Sequence, residues 1–196
     1  MTDALRTVPW SEGTWTTPPA TAHEDGTDLV VEAVEGSDAW RHTAYGFVHD
    51  DEHALLAPLE PGTAVEVTFL ADFAEEFDQA GVFVRADAET WIKAGLEFSD
   101  GELNAGAVVT LGRSDWSVGP VPSWAGREVT VRASRAGDAV TIRARADDEP
   151  FRLVRVAPFP ADADVAAGPF CCGPTRAGLV VRFRRWQVGA ADAALH

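Results

Sequence analysis

The stretch "TWIKAGLEF", residues 90–98, decides how the chain folds. Ile92, Ala94, Leu96 and Phe98 make one apolar row at period two, and Trp91, Lys93, Gly95 and Glu97 make the other. A helix would scatter both rows around its circumference, whereas an extended strand puts them on opposite faces. The apolar row belongs between two sheets. The second row carries Lys93, the only lysine in a chain with fifteen arginines.

The same alternation continues outward. In "QAGVFVRAD" (79–87), Val82, Val84 and Ala86 face the core, while Gln79, Gly81, Phe83 and Arg85 face the other way. A tight connection through "DAET" (87–90) makes the two stretches a hairpin. "TAVEVTF" (63–69), "REVTVRAS" (127–134) and "DAVTIRARAD" (138–147) repeat the pattern of a half-buried antiparallel strand. "RAGD" (135–138) is a glycine-bearing hairpin loop between the last two, and "DDEP" (147–150) punctuates the next connection.

Further strands are expected in "DLVVEAV", "WRHTAYGFV", "ELNAGAVVTL", "FRLVRVAP" and "LVVRFRRWQV", the last with a bulge at Arg184-Arg185. The count is roughly eleven to thirteen strands, the spacing of a sandwich. "DFAEEFDQA" (72–80), with Phe73 and Phe77 at i, i+4, has room for a turn or two of helix, and total helix should stay below ~10%. Residues 11–27 read as a long loop, residues 1–190 as one domain, and residues 191–196 as a frayed tail. The expectation is all-β: a two-sheet antiparallel sandwich with Val82, Val84, Ile92, Leu96, Phe98, Val131 and Ile142 between the sheets.

The 196 residues are 46% hydrophobic, enough for a sizeable core. A formal charge of −15 argues against nucleic acid and anionic membranes, both of which require clustered Lys and Arg. The N-terminus shows no basic start followed by an apolar run, and no stretch approaches the ~20 apolar residues of a membrane span, so a cytoplasmic protein is expected. Cys171 and Cys172 are adjacent, face opposite ways on a strand and read as reduced structural thiols.

The outward face of the hairpin is the first candidate site. Phe83, Arg85, Trp91, Lys93 and Glu97, with Gln79 nearby, combine aromatic rings with fixed charges and an amide. A sugar needs that combination: rings cover its C–H face, and polar groups satisfy hydroxyls whose desolvation otherwise costs ~1–3 kcal/mol each. The plainer alternative is a solvated Lys93–Glu97 pair worth a few tenths of a kcal/mol. Ser114, Asp115 and Trp116 in "TLGRSDWSVG" form a second polar and aromatic cluster, read as a binding loop or as a turn at the sandwich edge. In "HDDEH" (49–53), His49 and His53 flank three acids, but between strands the segment reads as a turn. No metal site and no cofactor are expected.

Three ordered stretches, "DQAGVFVRADAETWIKAGLEF", "VVTLGRSDWSV" and "GPFCCGPTRAGLVVRF", resemble the family known as domain of unknown function 1349, also called regulation-of-enolase-like. The resemblance spans about Glu60 to Val188 and implies a concanavalin A-like jelly roll. It implies no activity. Retaining glucanases of that superfamily carry Glu-x-Asp-x-x-Glu on one strand, the first two carboxylates two apart and so on one face. Here "EFSDGE" sets Glu97 and Asp100 three apart, so they face opposite ways, and the glucanase pattern is absent. Nor is there a nucleophile-elbow sequence for a Ser/His/Asp triad. The first function expected is therefore non-catalytic binding of a carbohydrate or sugar-like metabolite. The alternatives are a regulatory module that binds a metabolic protein, and a divergent glycoside-active enzyme using Glu97 as general acid or base.

Overall fold

The computed structural model describes residues 5–195, and in them the alternation becomes two packed antiparallel sheets. From edge to edge, the first sheet runs β15 (Arg152–Pro158), β14 (Ala139–Ala146), β13 (Glu128–Ala136), β8 (Thr63–Leu70), β17 (Val180–Ala190), β4 (Asp28–Glu32) and β3 (Thr21–Asp25). The short β1 (Arg6–Thr7) pairs with β17. The second sheet runs β12 (Ser114–Pro120), β11 (Glu102–Leu111), β10 (Thr90–Ser99), β9 (Gln79–Arg85), β16 (Ala166–Cys172), β7 (His53–Pro58) and β2 (Thr14–Trp15). A separate hairpin, β5 (Ala39–Arg41) with β6 (Val48–Asp50), shares no ladder with either sheet. Strand makes up 59% and helix 3%, the latter as two 3-10 turns at Trp10–Glu12 and Pro122–Trp124. None of the described helices is long and apolar enough to cross a membrane.

The inward rows meet between the sheets. Val82, Val84, Ile92, Leu96, Val131 and Ile142 are all buried there, packed with Phe69, Phe183 and Trp186. Burying each large side chain stabilises the fold by ~1.5–3 kcal/mol. Phe98 departs from expectation and is only half-buried. Its backbone bonds to Asp78 and Phe77, so beyond Gln79 the end of β10 is flanked by the irregular segment before β9 and no longer by a strand.

The outer face of the second sheet is also buried. Ala39, Trp40, Ala54, Leu56, Phe83, Trp91, Val108, Phe170 and Cys172 form a second apolar cluster, to which the β5–β6 hairpin contributes Ala39 and Trp40. The adjacent thiols confirm the alternation. Cys171 belongs to the inter-sheet core and Cys172 to the outer cluster, both free and fully buried. Burial pushes the Cys171 thiol up to about 12 and Cys172 well above its ordinary value, so neither is a ready thiolate.

Other expectations need correction. The described residues form seventeen strands, because several short ones carry little pattern. Residues 11–27 are no continuous loop, since they hold β2 and β3. Residues 72–80 hold no helix: Asp78 accepts the N–H groups of Ala74 and Glu75, Phe77 has φ 66°, and β9 begins at Gln79. "HDDEH" is mostly strand, with only Asp51 and Glu52 between β6 and β7. The tail does not fray at its start, because Asp192 pairs with Arg132 and Arg143 and takes the Ser134 hydroxyl on its N–H. The bulge lies where the alternation slipped, between Phe183 and Arg185.

Candidate functional site

Register sets the site floor. Lys93 of β10 pairs with Phe83 of β9 and Val108 of β11, and Glu97 pairs with Gln79 and Asn104. Between these two rows, Gly95 pairs with Gly81 and Gly106. Three glycines across three strands leave a trough with no side chains standing in it. A Cβ on Gly95 would lie 2.1 Å from the Ala80 carbonyl oxygen, and one on Gly81 equally close to that of Ala94, so neither position admits a larger residue. A cavity of about 320 Å³ opens over this floor, and a crevice of about 20 Å³ reaches along the glycines to Phe170.

The β5–β6 hairpin builds the wall. His42, Ala44 and Gly46 adopt positive φ (61°, 62° and 76°), which crooks the connection. Tyr45, the only tyrosine, stacks on Phe47 at 5.3 Å and 10°, and Phe47 meets His49 edge-on at 4.9 Å. Trp40 packs edge-on against Tyr45 and donates its indole N–H to the Thr43 carbonyl. Tyr45 is 61% exposed, Phe47 43%, and Trp116 on β12 39%. These rings present faces to solvent at a cavity mouth, whereas core rings do not.

Lys93 is 5% exposed, and its Nζ donates to Asp38 Oδ1 at 2.5 Å and to Gln79 Oε1 at 2.8 Å. Burial alone would lower the ammonium's pKa, but the Asp38 carboxylate, helped by Glu97, holds it above the ordinary lysine value. Glu97 is the opposite case. Burial pushes its carboxyl up to about 7; the Lys93 ammonium opposes this, and the charges of Asp38 and Glu76 add to it. Glu97 Oε1 is shielded from solvent and has no hydrogen-bond donor among the described residues. The site thus holds one matched ion pair, one unsatisfied carboxyl titrating near neutrality, and exposed aromatic faces.

The residues expected from sequence separate into groups. Gln79, Lys93, Glu97 and Trp116 line the cavity. Phe83 and Trp91 do not, correcting the stacking role expected of them: they stack on each other at 5.4 Å beneath the hairpin, 1% and 3% exposed. Arg85 leaves this face, turning to Glu52 at 3.8 Å and lining a different recess beside Pro58 and Ala166. Ser114 lies on a strand and not in a loop; it bonds Thr110 and accepts the Arg41 N–H, pinning the hairpin to β12. Asp115 pairs with Arg155 at 3.0 Å, joining the edges of the two sheets away from the cavity.

His49 joins the wall. His53 is buried, with the Val34 N–H on one ring nitrogen and the Thr17 carbonyl beside the other, and burial lowers its pKa. Among the described residues, no three His, Cys, Asp or Glu side chains converge as a metal would require.

Sequence reading missed Asp38, Trp40, Tyr45, Phe47 and Phe77. "WRHTAYGFV" signals its aromatic content, but it folds as the two arms of a hairpin and not as the single strand expected. Asp38 gave no signal, because 55 residues separate it from Lys93.

Residues 15–191 match the family model described as "Protein of unknown function (DUF1349)". Regulation of enolase protein 1 of Saccharomyces cerevisiae is 35% identical over 187 residues, covering 95% of this chain and 94% of the yeast protein. A crystal structure of a functionally unknown protein from Saccharomyces cerevisiae superposes with a TM-score of 0.89 at 33% identity, covering 95% of this chain and 100% of the other. The GH43 protein BlXynB of Bacillus licheniformis superposes with a TM-score of 0.71 at 11% identity, covering 91% of this chain and 37% of that one, a likeness of fold alone.

Proposed function

This chain belongs to the DUF1349 family of proteins of unknown function, and from that premise we propose that it binds a carbohydrate or sugar-like small molecule in the cavity above Lys93. One observation carries the reading: exposed aromatic faces stand over a buried polar floor of fixed geometry. Tyr45, Phe47 and Trp116 offer the faces, and Lys93, Gln79 and Glu97 the hydrogen-bonding groups. The cavity of about 320 Å³ lies at the lower end of small-molecule sites, which run from about 300 to 1,000 Å³. It suits one ring better than a long chain. Its recessed shape also favours a small ligand over a protein partner, which would need a broader and flatter surface.

Binding without turnover is the simpler form of the proposal. Asp100 sits in a turn with φ 54°, outside the cavity lining, so Glu97 has no strand-mate carboxylate at glucanase spacing. One observation favours a divergent enzyme as the second reading: a carboxyl near 7 suits general acid or base work.

Calorimetric titration of monosaccharides against wild type and Trp116→Ala tests the first reading. Wild type is expected to bind at least one sugar, and loss of the ring face to weaken it about tenfold. Equal binding by both proteins would remove Trp116 from the site. Glycoside cleavage lost in Glu97→Gln would establish the second reading instead.

A further inference from the structure

Within the binding role just proposed, and resting on it, we infer that the ligand is a sugar-like molecule bearing a protonated amine, seated on Glu97 and facing the exposed rings of the hairpin.

Hydrogen-bond inventory makes the first case. Lys93 spends two donors on Asp38 and Gln79, and Gln79 Nε2 donates to the Phe77 carbonyl. One N–H on each of Lys93 and Gln79 remains as a donor. Among the acceptors Glu97 is what remains: it lines the cavity, and its Oε1 is shielded from water with no donor among the described residues. An acceptor left unmade bears its whole desolvation cost, so the ligand gains most by bringing a donor to the Glu97 carboxyl from the cavity side.

Charge decides which donor. Among the described residues Lys93 is the only lysine or arginine lining the cavity, and Asp38 already matches it. Ionised Glu97 therefore leaves the cavity with one uncompensated negative charge. A phosphate or carboxylate on the ligand would face Asp38 and Glu97 against an ammonium already engaged. A neutral hydroxyl would satisfy the oxygen but leave the charge. An ammonium does both, and charge-assisted hydrogen bonds are roughly twice as strong as neutral ones.

The rings make an independent case. Tyr45 and Phe47 lie nearly parallel and exposed, with Trp116 also on the cavity. Aromatic faces are negative and attract a cation within about 6 Å of the centroid. A chain carrying −15 also concentrates cations around itself.

The groups acting on Glu97 are Lys93 on its own strand, Asp38 before β5, and Glu76 in the loop before β9. Gln79 and Asn104 flank it in register, and His49 belongs to the cavity wall. Burial leaves Glu97 half-protonated near neutrality, so an arriving ammonium shifts it to the carboxylate and releases a proton to solvent.

The test is titration calorimetry at pH about 7 with glucose and galactose, their amino forms at carbon 2 or 6, and their 6-phosphates, each against wild type and Glu97→Gln. An amino form is expected to bind wild type about tenfold more tightly than its parent sugar, with the phosphate weakest. Its heat should vary with the buffer's ionisation enthalpy, reporting proton release. In Glu97→Gln, an isosteric change checked by an unchanged circular dichroism spectrum, the preference should fall to within about twofold and proton release should vanish. Parent sugars binding as tightly as amino forms, or phosphates binding tightest, would overturn the amine inference and leave the binding role standing. If no sugar in the panel binds wild type, both fall.

Discussion

At Lys93 Nζ, bonds of 2.5 Å to Asp38 and 2.8 Å to Gln79 are made at the tip of a stem that is itself buried. A methionine at this position would keep the stem and strand Asp38, whose side chain is 21% exposed, without its cation. Lys93→Met should therefore lose about 2–4 kcal/mol in urea unfolding, and adding Asp38→Asn should recover a good part of it. Lys93→Arg must fit a planar fork into the same space and should lose about 1–3 kcal/mol. Full stability in Lys93→Arg would show that the site does not require a compact cation. Glu97 gives a pH signature. Its folded value of about 7 is raised above the ordinary 4.5, so the stability it contributes is complete below about pH 4.5 and is lost as pH rises through about 7. Glu97→Gln should therefore gain on wild type from pH about 5 to about 8, by on the order of 3 kcal/mol. A constant difference across that range would mean that Glu97 is well solvated.

Three glycines meet across β9, β10 and β11, and they keep the trough open. On Gly95 a Cβ would meet only backbone atoms, the Ala80 oxygen at 2.1 Å and the Gly81 Cα at 2.7 Å, which cannot move aside as a side chain does. Gly95→Ala is expected to lose more than about 3 kcal/mol in thermal or urea unfolding, or not to fold. Gly119→Ala in β12 has nothing within 4 Å and should stay within about 0.5 kcal/mol of wild type. Equal tolerance at both positions would contradict the close approach of β9 and β10. Most strands were legible because one row of each is buried and the other is not, as in β14, where buried and half-buried residues alternate without a break. β3 was not legible, because all five of its residues are exposed and leave no apolar row to read. Phe73 and Phe77 imitated a helical stripe by coincidence of spacing. Phe73 stacks on Phe69 at 6.2 Å, while Phe77 lines the cavity, and no helix joins them.

Across the whole molecule, the site is assembled by contacts that no local pattern records. Sequence alternation placed Gln79, Lys93 and Glu97 on one face, and they do share a cavity. The same alternation put Trp91 and Phe83 there too, because period two reports which face a side chain occupies and not what covers that face. The β5–β6 hairpin covers them, reached through folding contacts such as Lys93–Asp38 across 55 residues. Composition adds an experimental advantage, since the chain has one lysine and one tyrosine and both line the cavity. Protein labelled with carbon-13 at lysine Cε and at the tyrosine ring therefore yields one side-chain signal from the floor and one from the wall. Titration of this sample with neutral, amino and phosphorylated monosaccharides, followed by NMR, is the most direct test of the cavity as a sugar site. At least one sugar should shift the Lys93 and Tyr45 signals together along a single saturating curve. If every sugar leaves both signals unmoved at millimolar concentration, the cavity is not a carbohydrate site.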